Sequence, residues 1–154
     1  MIEIRRAATQ DELEATRVML RQYGAIPGVC ECVEGFTAEI DGLPGRYAEP
    51  EGTLLLASVD GHFAGCGALR KIGPGSCEMK RLYVAPFTRG SGLGRAIAAA
   101  LIAAGRERGY VTMRLDTLPF MESAIALYRS LGFRQIERYD DGSPANALYF
   151  ELAL

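Results

Sequence analysis

The 154-residue chain contains no tryptophan, one histidine (His62), and two lysines (Lys71 and Lys80) against fifteen arginines. Four cysteines and one histidine offer a zinc site few ligands. Cys30-x-Cys32 also lacks the CxxC spacing of a dithiol redox motif. No metal is expected. Cys66 and Cys77 alternate with apolar neighbours and read as inert core thiols. A chain of this length needs no disulfide framework, and Met1–Arg6 reads as a strand rather than a leader, so the expected compartment is the reducing cytoplasm. Long apolar runs are missing too. The longest, Ala96 to Ala104, is nine residues, against the roughly 20 that a bilayer-spanning helix requires. Nor is there an excess of positive charge: 17 Lys+Arg against 19 Asp+Glu gives −2. Binding to nucleic acid or an anionic membrane through bulk charge is therefore not expected.

What is present reads as one folded unit over residues 1–154, without repeats, low-complexity tracts or linkers. Ile2–Arg6 is a short first strand. Thr9-Gln-Asp-Glu12 has the form of a capping box and opens a helix with Leu13, Thr16, Leu20 and Tyr23 on one face. Residues 24–52 carry scattered glycines and prolines. They read as an irregular, variable substrate loop with one short helix near Phe36–Asp41, and Arg46 and Tyr47 read as solvated. Thr53–Val59, Asp60-Gly61 and Phe63–Leu69 form a hairpin signal, followed by a third antiparallel strand over Cys77–Val84. Arg95–Arg108 is the longest predicted helix, stopped by Gly109. Val111–Asp116 reads as a strand, Met121–Leu131 as a helix and Ala147–Leu152 as a last strand. This order implies an α/β (α+β) fold, with a largely antiparallel twisted sheet of six to seven strands and helices on both faces.

The most informative stretch is Arg89-Gly90-Ser91-Gly92-Leu93-Gly94-Arg95, which lies between a strand ended by Pro86 and the start of the long helix. Glycines allow successive N–H groups to turn into one concavity, and the helix start adds partial positive charge. A diphosphate suits that concavity, with Arg89 and Arg95 as flanking cations. Gly94-Arg95-Ala96 lacks the Gly-Lys-Ser/Thr of a Walker A loop. GxGxG after antiparallel strands also differs from the GxGxxG of a dinucleotide fold.

With these residues the chain resembles the GNAT acetyltransferase superfamily. Its phosphate loop, Arg/Gln-x-x-Gly-x-Gly/Ala, is similar to Arg89-Gly-Ser-Gly92-Leu-Gly94. Glu78-Met-Lys-Arg-Leu-Tyr-Val84 resembles its fourth strand. Ala124-Ile-Ala-Leu-Tyr128-Arg-Ser-Leu-Gly-Phe133 resembles its C-terminal signature. The resemblance implies acetyl-CoA as cosubstrate, with the pantetheine arm on the backbone of Leu82, Tyr83 and Val84 and the pyrophosphate on residues 89 to 95. It implies Tyr128 as general acid toward the leaving thiolate and Glu78 as a base acting through water. Asp116 and water itself are the alternative bases. Where the family often has Asn, this chain has Met121, which cannot donate a hydrogen bond; Ser123 is the expected substitute.

The function implied is transfer of an acetyl group to a primary amine of a small molecule or peptide, directly within a ternary complex. Dimers are common among folds of this kind, so a homodimer is one expected assembly. Two other readings use the same loop: a non-catalytic acyl-CoA sensor, and an ATP-binding domain. The presence of both Tyr128 and Glu78 argues against the sensor.

Overall fold

The computed structural model describes residues 1–29 and 33–154, so Cys30 and Cys32 lie outside the described residues. Its strands are β1 (Ile2–Arg6), β2 (Thr53–Val59), β3 (His62–Gly73), β4 (Ser76–Val84), β5 (Thr112–Thr117), β6 (Arg134–Ile136) and β7 (Leu148–Ala153). Its helices are α1 (Gln10–Gly24), α2 (Val33–Asp41), α3 (Leu93–Glu107) and α4 (Glu122–Ser130). The seven strands form one sheet in the order β1-β2-β3-β4-β5-β7-β6. Every neighbouring pair is antiparallel except β4–β5, which is parallel.

Local chemistry accounts for the element boundaries. The Glu12 N–H donates to Thr9 Oγ1 at 3.1 Å and the Thr9 N–H donates to Glu12 Oε1 at 3.0 Å, closing the capping box at the start of α1. The long helix starts at Leu93, two residues before the predicted Arg95, because Gly92 takes the N-cap position in a left-handed conformation. On β2, Leu54 and Leu56 face one core while Ala57 and Leu55 face the other, so both sides of the strand are covered.

One core lies between the sheet and α3 with α4, and includes Ile97, Leu101, Met113, Leu115 and Phe150. The other lies between the sheet and α1 with α2, and includes Leu20, Phe36, Ile40, Leu54 and Leu56. The short helix expected near Phe36–Asp41 is present as α2, but the expectations that residues 24–52 form a variable loop outside the core and that Tyr47 is solvated are overturned. Phe36, Ile40, Leu43 and Tyr47 are all buried, and Tyr47 is only 1% exposed within a short 3-10 turn, Gly45–Tyr47. Glycine and proline break the chain there, but apolar side chains spaced along it still fold down onto the sheet. Arg46, as expected, is exposed.

Two irregularities shape the site. Parallel pairing of β4 with β5 covers only Ser76↔Thr112, Cys77↔Met113 and Glu78↔Arg114, after which the strands part. Between the pairs Ala68↔Lys80 and Cys66↔Tyr83, β4 carries one residue more than β3, and Arg81 adopts φ +59°. This is a β-bulge.

Candidate active site

A cleft of about 980 Å³ opens where β4 and β5 part. One end is backbone. Gly90 and Gly92 have φ of +84° and +86°, and an added Cβ at either would meet nothing within 4 Å, so conformation rather than space calls for glycine. Gly92 caps α3 without a side chain, and the first bond of the helix ladder is Ala96 N–H to Gly92 O at 3.1 Å. Ahead of that bond, the N–H groups of Leu93, Gly94 and Arg95 have no place in the ladder. Uncapped N–H groups at the positive end of a helix dipole make an anion cradle. Arg89 lines the cleft beside it and is tied back to the strand end, Nε donating to Val84 O at 3.3 Å.

Most residues singled out in the sequence meet on this cleft. Leu82, Tyr83, Val84, Arg89, Gly90, Gly92, Leu93, Gly94, Ser123 and Tyr128 all line it. Three are set apart from the wall. The Ser91 hydroxyl turns back to donate to Thr88 O at 2.5 Å. Arg95 reaches across to the Ser130 hydroxyl on α4. Glu78, 1% exposed, lies within the sheet where β4 and β5 are still paired. Its Oε1 accepts from Arg70 Nε at 2.7 Å and its Oε2 accepts from the Tyr139 hydroxyl at 2.5 Å. Through Tyr139 it fastens the segment between β6 and β7, whose Asp141, Gly142, Ser143 and Pro144 form part of the cleft wall.

Tyr128 is both a core residue and a cleft residue. It is 6% exposed, its ring stands edge-on to Phe133 at 5.8 Å, and it lines the opening. Burial pushes its hydroxyl above the ordinary phenol range, so it stays protonated at neutral pH. The Met121 sulfur accepts a weak hydrogen bond from Thr117 Oγ1 at 3.6 Å. The buried Cys66 and Cys77 thiols are each pushed up by burial to about 12, which keeps them protonated at neutral pH.

The other end of the cleft is built from four charged side chains, of which sequence reasoning had singled out only Asp116 as a candidate. Lys80 Nζ pairs with Asp116 Oδ1 at 3.3 Å, and Arg81 grips Glu39 through Nε at 2.7 Å and Nη2 at 3.0 Å. All four line the cleft, as do Tyr23 and Phe36. Burial is the largest influence on the Asp116 carboxyl and raises it, but Lys80, Ser143 and Arg81 together lower it by more and the net shift is downward. At Glu39 burial is outweighed by Arg81 together with Tyr47 and Lys80. Asp116, weighed in the sequence as a second base, is thus a carboxylate that does face the cleft. Lys80 and Arg81 stood in the strand motif, but nothing there signalled the bulge that turns both inward. Among the described residues, no group of three or more His, Cys, Asp or Glu could hold a metal ion, and no helix is long and apolar enough to cross a membrane.

Residues 19–133 match the family described as "Acetyltransferase (GNAT) family". The chain is 32% identical over 155 residues to an uncharacterized N-acetyltransferase of Schizosaccharomyces pombe, covering 99% of this chain and 95% of that protein. An acetyltransferase of the GNAT family from Staphylococcus aureus superposes with a TM-score of 0.84 over 99% of both chains, at 16% identity. The PaiA N-acetyltransferase from Thermoplasma acidophilum, solved in complex with coenzyme A, superposes with a TM-score of 0.79 at 17% identity, covering 100% of this chain and 99% of that one. At those identities the two structures establish the fold.

Proposed function

The chain belongs to the acetyltransferase (GNAT) family and is an acetyltransferase, and from that premise we propose that it moves the acetyl group of acetyl-CoA to a primary amine by direct transfer. The observation that carries this reading is the cleft itself, which has an anion cradle at one end and the Tyr128 hydroxyl on its wall. The open N–H groups of α3 and Arg89 would hold the pyrophosphate. The backbone of Leu82 to Val84, free of β5, would receive the amides of the pantetheine arm as a neighbouring strand would, with Ser123 nearby.

In the transfer, the acceptor's ammonium first loses a proton to water. The free amine nitrogen attacks the thioester carbon, the C–S bond breaks, and the nitrogen gives up a second proton to water. Tyr128 donates its proton to the departing sulfur, and burial supports this role because it keeps the phenol protonated. Asp116, ionised beside Lys80, draws the acceptor's ammonium to the place where β4 and β5 part. Glu78 is read here as a positioning residue rather than the base. Its burial and its hydrogen bonds with Arg70 and Tyr139 support that assignment. Thiol release from acetyl-CoA across amines, amino acids, polyamines and peptides tests the reading. Release that depends on both an amine and Tyr128 is the expected result; tight acetyl-CoA binding with no release for any amine would point to the sensor instead.

A further inference from the structure

In a regular strand, consecutive residues face opposite sides of the sheet. Lys80 and Arg81 are consecutive, yet both line the cleft, because the bulge in β4 and the positive φ at Arg81 turn the second side chain to the side of the first. A non-glycine residue held at φ +59° is disfavoured, and such positions cluster where a site requires them. The outcome is two cations side by side, each facing a carboxylate from a different element: Asp116 of β5 and Glu39 of α2.

The two cations keep spare donors. Glu39 occupies Nε and Nη2 of Arg81, leaving Nη1 outside that fork. Lys80 directs one of its three N–H donors to Asp116. The four formal charges sum to zero, with the two cations adjacent and a carboxylate paired to each. An acceptor with two or more positive charges would set a cation against Lys80 and Arg81, and a simple monoamine would leave their spare donors unused. Tyr23, Ile26 and Phe36 add an apolar wall at the same end. The Phe36 ring also lies 4.8 Å beneath the Arg81 guanidinium and holds it flat.

Resting on the acyl-transfer reading of this cleft, we infer that the acceptor is a free α-amino acid with an apolar side chain. Its carboxylate takes the spare donors of Lys80 and Arg81, and its amino group lies beside Asp116 where the strands part. Its side chain rests against Tyr23, Ile26 and Phe36. Polyamines and protein lysines lack the adjacent carboxylate and are excluded by the same chemistry.

The test assays acetyl-CoA thiol release with the twenty common L-amino acids, spermidine and a lysine-containing peptide. The best amino acid is then compared with its carboxamide and its decarboxylated amine. We expect an apolar amino acid to lead, with kcat/KM at least tenfold above both derivatives, and Lys80→Met or Arg81→Gln to erase that margin. Equal use of the carboxamide or amine, or a polyamine or peptide as best acceptor, overturns the inference while leaving acyl transfer intact. If no amine releases thiol, the acyl-transfer reading fails by itself. Calorimetry on the CoA-loaded chain then decides the inference separately: tighter binding of the amino acid than of its carboxamide supports it, and equal or absent binding overturns it. Melting temperatures of both variants confirm that any lost margin arises in a folded protein.

Discussion

The two ends of the cleft are made in different ways. The anion cradle is backbone, laid out within seven residues from Arg89 to Arg95 between a strand and a helix. The acceptor end is side chain, assembled from contacts 36 residues apart (Lys80 with Asp116) and 42 residues apart (Arg81 with Glu39). A backbone site depends on conformation, so it leaves glycines in a fixed spacing. A side-chain site depends on tertiary placement and leaves only charged residues, which look like any solvated face until the sheet is assembled. Under the proposed function, the first end would hold the cosubstrate and the second would select the acceptor.

The sharpest way to separate the two ends begins at the point they share. Tyr128→Phe keeps the ring packed on Phe133 but removes the proton donor. We expect kcat to fall by about 100-fold or more, with acetyl-CoA binding unchanged by calorimetry and the melting temperature nearly so. Next, Gly92→Val forces a β-branched residue to φ +86°. Strain of about 1–3 kcal/mol at the cap should raise the KM for acetyl-CoA by about tenfold and leave the acceptor KM in place. Steady-state kinetics with each substrate varied reads this directly. A change confined to the acceptor KM would break the division of labour.

A smaller effect is expected within the sheet. Glu78→Gln should lower kcat/KM for the acceptor by less than about tenfold and leave the shape of the pH–rate profile intact, because Glu78 acts through Tyr139. Tyr139→Phe should resemble it. A loss nearer the 10²–10⁴ of a missing general base, with a changed acidic limb, would restore Glu78 as the base.

The smallest effect concerns acid stability. Asp116 and Glu39 are held below their ordinary carboxylate values by Lys80 and Arg81 despite burial. A depressed carboxylate stabilises the fold above its unfolded value, near 4, and that stabilisation is lost as pH falls through the lower folded value. Melting temperature should therefore be level above about pH 5 and decline below about pH 4. Each pair should be worth on the order of 1 kcal/mol. Asp116→Asn should remove its share of the decline, and an unchanged acid limb would detach Asp116 from the pair.

Much of the fold was legible because its signals are local. The capping box at Thr9 and Glu12, the Asp60-Gly61 turn and the apolar faces of β2 and α3 each depend on near neighbours. Less legible was the insertion of β7 between β5 and β6, since Leu148–Ala153 alternates alike in either position. The burial of Tyr47 was also missed, because glycine and proline around it signal turns whether or not the turn packs. At the site, Tyr128 and the glycine loop stood out by spacing. Arg81 could not, since its left-handed φ is imposed by the mismatch between β3 and β4. Glu78 had the right residue type, but its neighbour Tyr139 is 61 positions away.

The parallel seam between β4 and β5 is only three residue pairs long. The seven strands can be divided into two half-sheets, β1 to β4 and β5 to β7, joined in the sheet by that seam alone. An extended molecule lying in the notch would supply hydrogen bonds where the rest of a strand is missing, and so would complete the architecture as well as occupy it. Heat resistance should then track occupancy, by about 2.7 kcal/mol when the ligand stands at a hundred times its dissociation constant. The cosubstrate would serve as a removable splint, and the emptied chain after each turnover would be the loosest form of the protein.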